Sequence, residues 1–332
     1  MERCSRQSPC HEVVVARLDS FSPEAMEDAV DSGHLEHVQL APGRFQAQVV
    51  RARLGDRCFD WGNYNLPLYA RGAMPHDRVT LGLVLSPHAD GILNGTGLAR
   101  PALAVYTEGT ELDYRLAAET RWSGFQVTRQ DLERLGVNCP RTHSGPVRCD
   151  PAHADMLAFS LTQKLDCLVG IVGTAATGSN TRLLVQSVFE GMLAAYATAL
   201  PSVDHHTAPP APATHQSLVR RAREYLESRL AEPVRIFELC AETGVSFKTL
   251  ERAFFRAFGI TPQRYLAMAR LSRARRLLLA ARRDETRVAD IAFACGCFHL
   301  SRFSRDYRST FGESPSQTLT QHSGMARKPM IS

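Results

Sequence analysis

The feature that most constrains this sequence is an internal repeat in its C-terminal third. The segment LERAFFRAFGITPQRY, residues 250–265, aligns with FSRDYRSTFGESPSQT, residues 303–318, at an offset of 53 positions. Both segments carry large apolar residues four positions apart, then a glycine, then a proline three residues later. A short apolar segment and another glycine precede each copy at an offset of 52. Matched turns and helix starts at a fixed spacing predict two copies of one supersecondary unit.

Each copy is predicted to be a short helix, a glycine turn and a second helix. The second helices carry apolar stripes that we expect to pack in the core: Phe247, Leu250, Phe254 and Phe258 in the first copy, and Leu300, Phe303, Tyr307 and Phe311 in the second. The opposite faces carry Lys248, Glu251, Arg252 and Arg256 in the first copy, and His299, Ser301, Arg302 and Arg305 in the second. Such faces are typical of recognition helices, because arginine binds guanine edges and phosphates.

The segment 261–285 joins the two units and is predicted to form one continuous helix of about twenty residues. That helix would be roughly 30 Å long, close to the ~34 Å between successive major grooves on one side of DNA. The arginines of this helix are expected to lie near phosphates or to face water: Arg270, Arg273, Arg275 and Arg276.

The charge distribution separates the same region from the rest of the chain. Residues 216–332 contain 21 Lys and Arg against 11 Asp and Glu, whereas residues 1–215 are mildly acidic. This asymmetry is expected for a polyanion partner such as DNA, although arginines also solvate ordinary helices.

The second copy resembles a signature of the AraC/XylS family of bacterial transcription regulators, and the resemblance covers about 216–320. The matching stretch is ADIAFACGCFHLSRFSRDYRSTFGESPS. It departs from the family at Cys297, where the family usually has phenylalanine directly after glycine. The resemblance implies sequence-specific binding of double-stranded DNA, contact with RNA polymerase, usually activation of transcription, and neither enzymatic activity nor a cofactor. The residues assigned to DNA contact are Lys248, Glu251, Arg252, Arg256, Ser301, Arg302 and Arg305. The family pattern also turns Leu300 toward the groove, but its apolar character favours the core.

The sequence predicts an α+β protein with three regions: a domain over 1–200, a proline-rich linker over 201–215, and an all-α DNA-binding domain over 216–332. Alternating β-branched and aromatic stretches predict an antiparallel, cupin-like β-barrel over about 45–135. Amphipathic helices are predicted over about 151–168 and 180–200. Their apolar stripes are expected to cover the barrel or to pair with the same helices of another subunit.

The order of barrel and helices is similar to that of family members whose barrel binds a small effector and whose helices dimerise. The resemblance therefore implies an effector-controlled homodimer. Weak candidates for effector contact are Arg51, Trp61 and Tyr69, with Arg51 or Arg53 available to an anionic ligand. Ordinary barrel core is the alternative for each of them. Further aromatic residues could also line a pocket: Tyr64, Tyr106, Tyr114 and Trp122.

Other functions stay open from the sequence. The N-terminal domain could sense a protein instead of a metabolite, or could be a barrel enzyme tethered to DNA. The nine scattered cysteines, with no C-x-x-C pair, argue against a disulfide framework, a zinc site or a DNA-repair methyl acceptor, and no metal is expected. The chain has no long apolar run and no secretory signal, so we expect a cytoplasmic protein without a membrane partner.

Overall fold

A computed structural model describes most of the chain, in which a β-rich part precedes a helical hairpin and a helical C-terminal part. The described residues are 13–20, 34–85, 91–98, 101–137, 139, 145–147, 150–173, 179–200, 213–282 and 285–322. Within these ranges, no helix is both long and apolar enough to cross a lipid bilayer.

The β-rich part consists of two antiparallel sheets. Its strands are β1 (Val13–Ser20), β2 (His34–Gln39), β3 (Ala47–Leu54), β4 (Arg57–Tyr64), β5 (Leu68–Ala73), β6 (Val79–Leu85), β7 (Ile92–Leu93), β8 (Thr96–Gly97), β9 (Ala102–Tyr106), β10 (Glu111–Leu116), β11 (Thr120–Val127) and β12 (Gly145–Val147). Sheet A has the order β1-β3-β4-β11-β6-β9-β12, and sheet B has the order β2-β5-β10-β7-β8. The predicted cupin-like fold class is confirmed, although the strand pairings of the described residues form a sandwich of two sheets instead of a closed ring.

Two strands lie outside the predicted barrel limits of 45–135. β1 and β2 both precede residue 45. β2 is buried on both faces from His37 onward, so its polar and apolar residues do not alternate and a search for strand periodicity misses it.

Three helices follow the sheets: α1 (Arg129–Arg134), α2 (Pro151–Gly173) and α3 (Ser179–Ala199). α2 and α3 pack together over the outer face of sheet A, where Phe125 meets Phe189 with ring centroids 5.8 Å apart. An ion pair between Arg57 and Glu190, 2.6 Å long, ties α3 to sheet A. The expectation that these helices cover the barrel is therefore confirmed.

The C-terminal part contains seven helices in the described residues: α4 (Ala213–Ser228), α5 (Ile236–Thr243), α6 (Phe247–Phe258), α7 (Pro262–Ala280), α8 (Val288–Ala294), α9 (Leu300–Phe311) and α10 (Pro315–His322). Two helix-turn-helix units, α5–α6 and α8–α9, are joined by the 19-residue α7, as predicted. α4 begins inside the predicted linker 201–215, of which residues 201–212 lie outside the described ranges. The three region boundaries stay a prediction.

The two units repeat in three dimensions as they do in sequence. Gly244 and Gly296 both have a φ of 70°, a left-handed conformation that glycine adopts without steric cost. α6 and α9 each contain twelve residues. Thr261 caps α7 ahead of a proline at the first helical position, as its sequence predicted.

Candidate nucleic-acid interface and the sandwich cavity

The apolar stripes of α6 and α9 fix which face of each helix is outward. Leu250, Phe254 and Phe258 of α6 are buried, and so are Phe303 and Tyr307 of α9. Because buried positions recur every three or four residues, the intervening positions face solvent on one side of each helix.

The outward faces carry the basic residues that the sequence predicted. The exposed residues are Lys248, Arg252, Arg256, Ser301, Arg302 and Arg305, whereas Glu251 is half-buried. Arg302 lies 3.4 Å from Asp306 in an exposed ion pair, which is worth little in water. Lys248, Arg252 and Arg305 form no hydrogen bond or ion pair with any residue in the described ranges. Their cationic groups are thus open to an external anion.

The first residue of each recognition helix is an exception to the predicted core stripes. Phe247 is 45% exposed and Leu300 is 39% exposed, so placing both in the core was wrong. They occupy equivalent positions at the start of the helix, ahead of the point where the stripe meets the rest of the domain. Exposed apolar groups there can contact thymine methyl groups in a major groove.

The arginines of α7 are mostly held by the protein itself. Arg275 is 5% exposed and pairs with Glu313 at 2.8 Å, and Arg276 pairs with Glu36 of β2 at 2.5 Å. Arg270 donates to the carbonyl of Leu230 at 3.0 Å. The expectation that they lie near phosphates or face water was wrong for these three residues.

Sheet B packs against the C-terminal domain at the C-terminal ends of both recognition helices. Tyr69 of β5 meets Phe258, the last residue of α6, with ring centroids 5.0 Å apart. The side chain of Gln39 donates to the carbonyl of Thr310, next to the end of α9, at 2.8 Å. These contacts leave the N-terminal halves of α6 and α9 open, which are the parts that reach base edges in helix-turn-helix proteins.

Comparison with known proteins agrees with this geometry. Residues 239–321 match the model of a helix-turn-helix domain. A probable thc operon regulatory protein of Rhodococcus erythropolis is 37% identical over 102 residues, which are 31% of each chain. The transcriptional activator RhaS of Klebsiella pneumoniae is 40% identical over 91 residues, 27% of this chain and 32% of RhaS. The chain thus carries a DNA-binding domain of the AraC/XylS family.

The similarity to these curated relatives spans about a third of their length. A solved structure of a probable AraC family regulator from Rhodopseudomonas palustris is 38% identical, with 32% of this chain and 97% of that chain covered and a TM-score of 0.29. The AraC-like transcriptional activator CuxR is 15% identical, with 85% and 100% covered and a TM-score of 0.37.

A cavity of about 80 Å³ lies between the two sheets of the β-sandwich. Aromatic residues that the sequence offered as pocket residues line it: Tyr64, Tyr106, Tyr114 and Trp122. The three weak candidates do not. Trp61 packs outward beneath α2 and α3, Tyr69 belongs to the core of the C-terminal domain, and Arg51 is paired with Asp60. The strand period of two explains this difference, because the sequence does not show which face turns inward.

Sheet B is a single layer between this cavity and the AraC-type domain. On β10, Leu112 and Tyr114 line the cavity, whereas Asp113 between them pairs with Arg223 of α4 at 2.5 Å. On β2, Leu35 lines the cavity, and Glu36 beside it pairs with α7. Neighbouring residues of one strand therefore contact the cavity and the DNA-binding domain, because side chains alternate across a sheet.

Half-buried charges reinforce this contact. Arg71 lies 3.0 Å from Glu36 and 2.7 Å from Glu227 of α4. Burial by itself would raise the pKa of Glu36, but the charges and hydrogen bonds of Arg276 and Arg71 lower it below its usual value. Burial raises the pKa of Glu227 even though Tyr265 donates a hydrogen bond to its carboxylate. Two arginines and two glutamates thus hold β2, β5, α4 and α7 together.

The described residues include no group of three or more His, Cys, Asp and Glu side chains placed to hold a metal ion. Cys295 and Cys297 are free thiols. Burial raises the pKa of Cys295 to about 11, so this thiol stays protonated at neutral pH.

Proposed function

We propose that this protein is a transcription regulator that binds specific DNA sequences through α6 and α9 and responds to a small effector in the sandwich cavity. The observation that carries the first part is the pair of open recognition helices on one rigid 19-residue helix, each with free cationic groups. The helix α7 is about 28 Å long at 1.5 Å per residue, near the ~34 Å repeat of the major groove.

Within this interface, Arg252 and Arg305 are proposed to contact bases or phosphates, with Lys248, Glu251, Arg256, Ser301 and Arg302 beside them. Phe247 and Leu300 add apolar contacts to thymine methyl groups. A free arginine close to the N-terminal half of a recognition helix has the reach for a bidentate bond to guanine.

DNase footprinting of DNA upstream of the protein's own gene and its neighbours tests DNA binding. Arg305→Ala should weaken binding to a protected site by about 1–3 kcal/mol and relax specificity at one position. Arg308→Ala is the matched control, because Arg308 is exposed on the same helix but lies in its last turn. Equal effects of the two substitutions would refute base contact by Arg305, and the absence of any protected site would refute the function.

The effector response is proposed to pass through sheet B. A ligand in the cavity contacts Tyr114 and Leu112, and the same strand holds Arg223 of α4 through Asp113. A ligand shifts the arrangement of the two parts only as far as it binds one arrangement better than the other. A small cavity favours a metabolite over a protein partner for this response.

A homodimer is proposed through the outer faces of α2 and α3. Large apolar side chains are exposed there, with Met156 at 67%, Phe159 at 69%, Leu183 at 63% and Leu184 at 56%. Exposed apolar residues that cluster on one helical hairpin are typical of a protein interface. Sedimentation equilibrium should show a dimer that Phe159→Ser weakens. Phe237→Ser, at a 63% exposed site on α5, is the control and should leave the mass unchanged.

Activation of transcription, and with it contact with RNA polymerase in the cytoplasm, is proposed from the relatives that are named as activators. A reporter fused to the footprinted promoter tests the direction of regulation. Higher expression with the gene than without it supports activation, and lower expression would make the protein a repressor. The protein is not proposed to be an enzyme.

A further inference from the structure

The lining of the sandwich cavity determines which ligand it can accept, given the proposed role of this cavity as the effector site. Most of the lining is apolar, including Leu35, Met74, Val84 and Leu93. Its volume of about 80 Å³ is roughly half of the ~150 Å³ apolar cavity that holds a benzene molecule. Since benzene has six non-hydrogen atoms, the ligand of this cavity is smaller, with about three or four non-hydrogen atoms.

The one carboxylate of the lining is already neutralised. Asp60 is 1% exposed, and Arg51 donates to both of its carboxylate oxygens, at 2.7 and 3.3 Å. Arg51 and Asp60 lie directly opposite each other on β3 and β4. An incoming anion would meet Asp60, and an incoming cation would have to displace the guanidinium group. Since either charge would lose its hydration without a free counter-ion, the cavity disfavours charged ligands.

Two polar groups of the lining have no hydrogen-bond partner among the described residues: the Thr80 hydroxyl and the Trp122 indole N–H, which can only donate. Thr80 of β6 is 4% exposed, and its Oγ1 has no hydrogen-bond partner among the described residues. A buried hydroxyl without a partner is destabilising, and a ligand that bonds to it removes that penalty. Since a hydroxyl can donate or accept, the complementary group is an alcohol, a carbonyl or an amide.

We propose that the cavity binds a small, uncharged organic molecule whose alcohol, carbonyl or amide group bonds to Thr80 while its alkyl part packs against the leucines. This assignment differs from the expectation that Arg51 or Arg53 would meet an anionic effector, because Arg51 is bound to Asp60 and neither arginine lines the cavity. The proposal depends on the cavity being the effector site.

Two pairs of molecules with nearly equal shape test the charge preference: acetamide against acetate, and ethanol against ethylammonium. The full-length protein is unfolded thermally with each of them. The uncharged member of each pair is expected to raise the unfolding midpoint by about 2–4 °C at saturating concentration, and its charged partner not to.

Two variants locate the binding. Gly124→Ala adds a methyl group to the cavity wall, where the nearest atom would lie 3.7 Å away, so folding is preserved while the volume falls. Thr80→Val removes only the unpaired hydroxyl. Both should reduce the shift by roughly half or more, and Thr80→Val should not lower the midpoint of the free protein.

The outcomes test separately whether the ligand is uncharged and whether the cavity is the effector site. Uncharged probes that act and lose their effect in both variants support it. A larger shift with acetate or ethylammonium that Gly124→Ala reduces would overturn the uncharged class but keep the cavity as the effector site. No shift with any probe, or shifts that both variants leave intact, would overturn the ligand class and the effector cavity together.

Discussion

The aromatic ring of Tyr69 is predicted to carry much of the attachment between the β-sandwich and the AraC-type domain. Tyr69 is 1% exposed and lies on the outer face of β5. Its ring packs edge-on against Phe258 at 5.0 Å and Tyr265 at 6.1 Å. Its hydroxyl donates to Asp113 at 2.9 Å and accepts a hydrogen bond from Arg223. Replacing it with alanine therefore removes contacts from both domains but none from the cavity.

The magnitude follows from burial and from the hydrogen bonds. Truncating a fully buried aromatic side chain to alanine costs about 3–5 kcal/mol, including the cavity that it leaves. Tyr69→Phe keeps the ring and removes only the hydroxyl, which should cost about 1–3 kcal/mol because Arg223 and Asp113 still pair. The difference between the two variants isolates the packing contribution of the ring.

Urea unfolding followed by far-UV circular dichroism measures both variants. We expect Tyr69→Ala to lower the stability of the helical part by about 3–5 kcal/mol and to separate its unfolding from that of the β-sandwich. Tyr106→Phe is the control, because Tyr106 lines the cavity and lies away from the domain contact. A single transition with a loss below about 0.5 kcal/mol in Tyr69→Ala would refute the reasoning.

Three further predictions concern the turns, a buried ion pair and one histidine. In the same urea assay, Gly244→Ala should lower the free energy of unfolding by about 1–2 kcal/mol, from its left-handed φ alone. Gly296→Ala should lower it by about 2–5 kcal/mol, because the new methyl group would also lie 2.3 Å from a carbonyl oxygen. Equal losses in the two variants would contradict this reasoning. Arg275→Ala should cost about 3–5 kcal/mol, because it leaves the half-buried Glu313 without its buried partner. Arg275→Met combined with Glu313→Gln should cost less, as a double-mutant cycle would show. Burial lowers the pKa of His37 from 6.5 to about 4, so between these pH values the unfolded chain binds a proton that the folded protein does not. The free energy of unfolding should therefore fall by ~3 kcal/mol as the pH falls from 6.5 to 4. His37→Gln should lose this part of the pH dependence of the melting temperature.

The helix-turn-helix units could be predicted almost to the residue, because their determinants are local. Glycines at left-handed turns, Thr261 ahead of a proline, and apolar residues at helical spacing each act within a few positions of the chain. The first residues of the stripes, Phe247 and Leu300, could not be placed, since periodicity does not show where the supporting domain ends. The arginines of α7 were misplaced because their partners, such as Glu36, come from a distant strand.

Whether an effector candidate faces the cavity depends on non-local structure even more strongly. Which face of β4 or β5 turns toward the cavity depends on the register between strands, and a shift of one residue exchanges the two faces. Trp61 and Tyr69 therefore face away from the cavity, whereas Tyr64 and Tyr114 line it.

The sequence by itself determined that this chain carries two helix-turn-helix units with arginines on their outer faces, because helix period, turns and caps depend on residues that are close together in the chain. Only the tertiary structure decided which arginines are free and which are paired, and that one sheet separates the cavity from the DNA-binding domain. Those properties arise from contacts between residues more than a hundred positions apart, such as Asp113 with Arg223 and Gln39 with Thr310, and no local pattern encodes them.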